Sequence, residues 1–97
     1  MEELDKNYEK LKQLQKIRRD KFTVIRLLEQ DLVICKNSVK IAEGKGLPEI
    51  TVLGTIGKCK EYKIKILNTE IEIIRIEQQL LKLSKLLNLS SDIVLRQ

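Results

Sequence analysis

The chain has 97 residues, with 19 Lys and Arg against 14 Asp and Glu, a formal net charge of +5, and no His. A chain of this length holds one small domain and excludes the large enzyme folds, and the missing His removes the commonest general base and metal ligand. Hydrophobic residues make up 42% and aromatics only 3%, so the expected core is aliphatic, and one Pro with four Gly leaves little for a turn-rich all-β design.

The chain opens on Glu2, Glu3 and Asp5, which suit the positive end of a helix dipole. From Leu4 to Ala42 there is no Gly or Pro. Leu4, Leu11, Ile25, Leu32 and Val39 share one heptad position, and Leu14, Leu28, Cys35 and Ala42 lie three residues on, which predicts a long amphipathic helix over about 4–43. Arg18 and Lys21 occupy seam positions of that frame, so the apolar face is expected to shift there towards Ile17, Phe22 and Val24, or to open locally.

Residues 44–58 (GKGLPEITVLGTIGK) hold every Gly and the Pro, and form the expected connector. Within it Ile50, Val52 and Leu53 favour an extended backbone, and Gly54 and Gly57 punctuate what reads as a short strand or hairpin. A second helix is expected over about 60–89, where Ile66, Ile73, Leu80 and Leu87 repeat every seven and Ile76 and Leu83 fill the intervening position. Residues 60–77 also alternate at period two, but the seven-residue repeat runs unbroken through the place where alternation fails, which favours helix. Beside the first stripe lies a second, Ile64, Leu67, Ile71, Ile74 and Leu81, wider than one antiparallel partner needs. Ser90-Ser91-Asp92 reads as a stop before a tail at 90–97, or as the cap of a last turn made by Ile93, Val94 and Leu95. The expected fold is a single all-α domain over 1–97, a long antiparallel, coiled-coil-like helical hairpin with a short connecting segment of β character.

The positive charge is concentrated. Residues 10–26 carry Lys10, Lys12, Lys16, Arg18, Arg19, Lys21 and Arg26 against Asp20 alone. Lys16, Arg18, Arg19 and Lys21 crowd into less than two helical turns, as a phosphate-binding patch does, although a solvated helix face explains the same charges. The scarcity of aromatic rings argues against base stacking, so any nucleic acid is expected to be held by phosphate contacts. GTIGK (54–58) fails as a nucleotide-binding loop, because Val52 stands where the first Gly is needed and Cys59 where Ser or Thr is. Glu70, Glu72 and Glu77 read as surface ion-pair partners rather than acid–base pairs. Cys35 and Cys59 do not form a CxxC pair and read as reduced thiols. Cys59, between Lys58 and Lys60, is the one candidate reactive thiol, with a half-buried loop residue as the plain alternative. No metal, cofactor or small-molecule substrate is expected, nor any membrane span or signal segment, and the expected location is the cytoplasm.

The layout of helix, VLGTIGK (52–58) and helix resembles a β-class prefoldin subunit, whose strand after the first helix carries a hydrophobic residue, a Gly and further hydrophobic residues, as Leu53, Gly54 and Ile56 do. The resemblance covers nearly the whole chain. It implies a chaperone subunit assembled through central strands, with coiled-coil tips that grip clients. KLLNLSSD (85–92) is similar to a Leu-Gly-Leu-Thr-Pro-Ser ending found in small terminase subunits of tailed phages, with Asn88 for Gly and no Pro. That likeness covers about the last 15 residues and implies a ring-forming, DNA-binding protein.

Together these readings predict a non-catalytic, self-associating interaction module: a scaffold, adaptor or prefoldin-like chaperone subunit. Its partner is a second copy or another coiled-coil protein, and its assembly seam is Ile66, Ile73, Leu80 and Leu87. The alternative is a DNA- or RNA-binding protein of a phage or mobile element, small-terminase-like, contacting phosphates through residues 10–26. An antiparallel register that pairs Glu43 with Lys60 places Arg18 near Lys85, so that part of the hairpin is expected to be open or held by an acidic or phosphate-bearing partner.

Overall fold

The computed structural model describes residues 2–96. Helix α1 spans Glu2–Gly44, α2 spans Glu49–Leu86 and α3 spans Ser91–Leu95, and among the described residues there is no strand. The all-α helical hairpin expected from the periodicity is the observed fold. Its chain divides into two compact units, Met1–Thr23 with Glu70–Gln97, and Val24–Thr69. The first is here called the terminal unit and the second the turn unit.

In the turn unit, α1 ends on a left-handed residue. Gly46 has φ +65°, its amide donates to Glu43 O (3.1 Å) and the Leu47 amide reaches back to Ala42 O (3.1 Å), which satisfies the last carbonyls of α1. Pro48 follows at once, where its missing N–H costs nothing, and its carbonyl accepts from Thr51 and Val52 to start α2. The connector is therefore 45–48, not 44–58. Residues 50–57, and with them the VLGTIGK that the prefoldin resemblance makes a strand, are the first turns of α2.

Burial explains why the β-branched residues yield to helix. Val52, Thr55, Cys59, Tyr62, Ile66 and Thr69 fall at seam spacing and are buried or half-buried, so a helix from Glu49 puts all of them on the side that α1 covers within this unit. Packing overrides the weak local preference for strand. Two hydroxyls in this stretch are satisfied within the helix, Thr55 Oγ1 donating to Thr51 O (3.1 Å) and Thr69 Oγ1 to Lys65 O (2.8 Å).

These two glycine environments have opposite consequences. Gly46→Ala is expected to lower stability by about 1 kcal/mol, because a Cβ there meets no atom but the left-handed backbone disfavours it. Gly54→Ala, in open space inside α2, is expected to raise it by up to about 1 kcal/mol through helix propensity. Urea unfolding midpoints of the two variants should move in opposite directions.

In the terminal unit the core is Leu11 and Leu14 of α1 with Leu80 and Leu83 of α2, Leu87 just beyond it and Val94 of α3. Ile76, Leu89 and Leu95 pack against this cluster. Asn88 takes the left-handed conformation (φ 54°), and the Leu89 amide reaches back to Ser84 O (2.8 Å), so α2 closes with the same device as α1. The chain then turns into α3 at Ser90, which has an extended backbone and makes no side-chain cap. Val94 is fully buried, so the segment after Leu89 is a third packing element rather than a loose tail.

The seam of α1 does not shift at Arg18 and Lys21, contrary to expectation. From Asn7 to Ala42 every heptad position is buried or half-buried, these two included, and apart from Gln15 the remaining residues of α1 are exposed. Ile17, Phe22 and Val24, the expected substitute strip, lie on the surface at 43%, 45% and 42% exposure. The reason is electrostatic: each seam cation has a carboxylate opposite it on α2.

Candidate functional site

Three features of the surface and seam bear on function. The first is the exposed apolar residues of α2. In the turn unit Ile64 and Leu67 are both 57% exposed; in the terminal unit Ile71 and Ile74 are 46% and 55% exposed and Leu81 is half-buried. Their spacing of three and four residues repeats a heptad seam, with Gln78 filling the position between Ile74 and Leu81. In the turn unit a groove of about 390 Å³, lined by Glu29, Leu32, Lys63, Ile66 and Leu67, opens beside the start of this stripe.

The residues assigned to assembly from the sequence are elsewhere. Ile66, Ile73, Leu80 and Leu87 are 8%, 4%, 0% and 7% exposed. They form the chain's own seam, because these are the α2 positions that α1 covers within each unit. The sequence showed two stripes on α2; the structure shows which one is used internally.

The second feature is the basic patch, which the structure divides. Arg18 donates through one guanidinium nitrogen to Leu95 O (3.0 Å), pairs through another with Glu77 Oε2 (3.3 Å), and lies 4.9 Å from the centroid of the Phe22 ring. Its side chain is 14% exposed. Lys21 Nζ lies 2.6 Å from Glu72 Oε2, with both side chains more than a third exposed, a pair worth well under about 1 kcal/mol. Lys16 and Arg19 are exposed. The four cations proposed as one phosphate site thus fall into two that bind carboxylates within the terminal unit and two that face solvent.

The register explains the pairing. Arg18 meets Glu77, Lys21 meets Glu72 and Cys35 meets Cys59. The expected Arg18–Lys85 juxtaposition does not occur, because shortening the connector to four residues slides α2 along α1 and brings Glu77 to Arg18. Gln15 adds a further tie, its side-chain amide donating to Val94 O (3.0 Å). With Arg18 on Leu95 O, two α1 side chains satisfy the terminal carbonyls of α3. This part of the terminal unit is closed by α3, not held open for an acidic partner.

The third feature is Cys35 with Cys59, both buried, their sulfur atoms 2.8 Å apart in the turn-unit seam. The thiol–thiol hydrogen bond, then burial, then the neighbouring Cys59 sulfur raise the pKa of Cys35 above the ordinary thiol value, with Lys58 pulling the other way. Cys35 also donates to Thr55 O (3.4 Å). Cys59 is a buried seam residue of α2, not the half-buried loop residue of the plain alternative. Beside the pair a cleft of about 350 Å³ is lined by Asp31, Ile34, Cys35, Ser38, Thr55, Lys58 and Tyr62. Two cysteines 24 residues apart meet only once the register is known, so their spacing in the sequence does not reveal the pair. A signal was nevertheless present: Arg18 with Glu77, Lys21 with Glu72 and Cys35 with Cys59 all satisfy nearly the same antiparallel alignment.

No protein-family model matches the chain, and no curated protein and no solved structure matches it either. Among the described residues no helix is long and apolar enough to cross a membrane.

Proposed function

We propose that this chain is a non-catalytic, self-associating helical module whose outward α2 stripe packs against a second copy of itself. The observation that carries this reading is that apolar residues at this heptad spacing are exposed in each unit, Ile64 and Leu67 in the turn unit and Ile71 and Ile74 in the terminal unit, at positions other than those of the intrachain seam. Covering what each of these side chains still exposes contributes about 1 kcal/mol per residue. The residue types favour a two-stranded parallel pairing: Ile64 and Ile71 share one heptad position, Leu67 and Leu81 the other with Ile74, and Gln78 supplies the single polar position that sets register. The flanking charges agree. In parallel register Glu70 faces Arg75 of the second copy, whereas an antiparallel register centred on the stripe sets Glu70 against Glu70.

The phosphate-binding alternative is disfavoured by the carboxylates that Arg18 and Lys21 already engage.

Native mass by size-exclusion chromatography with light scattering tests the proposal. The expected result is a dimer or larger assembly at both low and high salt, and a monomer of unchanged helical content for the double variant Ile71→Glu, Ile74→Glu. A monomeric native chain, or a variant that keeps the native mass, rejects it.

A further inference from the structure

We propose that Cys35 and Cys59 form a reversible dithiol–disulfide site, closed by exchange with a small-molecule disulfide such as oxidised glutathione that enters through the cleft beside Lys58. The two sulfur atoms already face each other at 2.8 Å, so bond formation needs an approach of only about 0.8 Å. They lie on different helices of the turn unit, Cys35 on α1 and Cys59 on α2, so the bond staples one to the other and closes the intervening turn. A pair of buried thiols with no further purpose has no need of a neighbouring opening, yet here a cleft reaches Cys35 and is lined by Lys58, whose cation attracts the carboxylates of glutathione, with Asp31 also on its wall. A metal is a poorer occupant, because among the described residues no cluster of three or more His, Cys, Asp or Glu side chains is available.

The exchange has two steps. Cys35, which lines the cleft, attacks one sulfur of the incoming disulfide as its thiolate; that S–S bond breaks, and one glutathione leaves as thiolate and is protonated by solvent. Cys59 then attacks the Cys35 sulfur, the mixed disulfide breaks, and the second glutathione leaves. The two protein thiols have lost two electrons and two protons, and the small disulfide has been reduced to two thiols. Because the thiol–thiol hydrogen bond and burial favour the protonated form of Cys35, the first step should accelerate as pH rises through the alkaline range.

Incubating the full chain in oxidised and reduced glutathione mixtures, quenching with acid and measuring intact mass and free thiols tests this. The expected product is a single chain lighter by two hydrogen atoms, with no glutathione attached, no thiol left to titrate after denaturation, a higher urea midpoint than the reduced chain, and full reversal by dithiothreitol. The Cys59→Ser variant should instead stop as one glutathione adduct on Cys35. The proposal is overturned if the native chain accumulates glutathione adducts or disulfide-linked dimers. It is equally overturned if both thiols stay free under conditions that oxidise the urea-unfolded chain.

Discussion

Replacing Leu80 with Ala is expected to lower the unfolding free energy by about 3 to 4 kcal/mol, the loss that follows when a buried Leu leaves a cavity its neighbours fill only in part. Leu80 is fully buried and sits in the cluster of Leu11, Leu14, Leu83, Leu87 and Val94, drawn from all three helices of the terminal unit. Domains of this size are stabilised by only about 5–10 kcal/mol in total, so the variant should be substantially unfolded well below the native urea midpoint. Leu86→Ala is the contrast. Leu86 is 69% exposed, and its truncation should change stability by under about 0.5 kcal/mol. Urea denaturation followed by helical circular dichroism measures both, at one fixed protein concentration because self-association adds to apparent stability. Equal losses for the two variants would show that the intrachain seam is not where Leu80 lies.

Arg18→Ala is expected to cost about 2 to 3 kcal/mol, an effect that a solvent-exposed phosphate contact would not produce. Its guanidinium holds Leu95 O and Glu77 Oε2, and hydrogen bonds that involve a charged group contribute about 1.5–3 kcal/mol when the groups are shielded from water. The Arg18 side chain is 14% exposed and Glu77 29%, so solvent screening removes part of that value and not most of it. Truncation also leaves the last carbonyl of α3 without this donor, which loosens the packing of Val94 over the cluster. Lys16→Ala and Arg19→Ala, on the exposed side, should stay within about 0.5 kcal/mol of the native chain. A ranking in which all four cations matter equally little would mean that Arg18 is a surface residue after all.

Much of this architecture is legible in the residues because aliphatic side chains at seven-residue spacing have one low-energy arrangement. The aliphatic seam positions of α1 on either side of Arg18 and Lys21, and those of α2 from Ile66 to Leu87, follow from that spacing alone, as does the existence of an unused second stripe; that Arg18 and Lys21 stay in the seam does not, because the carboxylates opposite them are known only with the register. What misleads is the region 50–57, where Gly54, Gly57 and β-branched residues favour strand locally. Only the need of Cys35, Val39 and Ala42 for a covering helix decides for α2. That one misplacement carries the register with it. With the connector drawn eleven residues too long, Arg18 falls opposite Lys85, the cationic seam looks like a place for an anionic partner, and the cysteines stay apart. The final turn of Ile93, Val94 and Leu95 is readable as a short helix after Ser90. Its role in covering the leucine cluster is not, since five residues carry too little periodicity to show which side is apolar.

The claim on which the functional reading rests is that α2 meets a second copy along its outward stripe. Disulfide trapping at single introduced cysteines tests it most directly. In a Cys35→Ser, Cys59→Ser background, Ile74→Cys places a thiol in the middle of the stripe, and Val33→Cys places one on the exposed side of α1, where Val33 is 57% exposed. Mild oxidation is expected to convert the Ile74→Cys chain to a covalent dimer rapidly and in high yield at concentrations where the Val33→Cys chain remains monomeric. Equal, slow cross-linking at the two positions would contradict it.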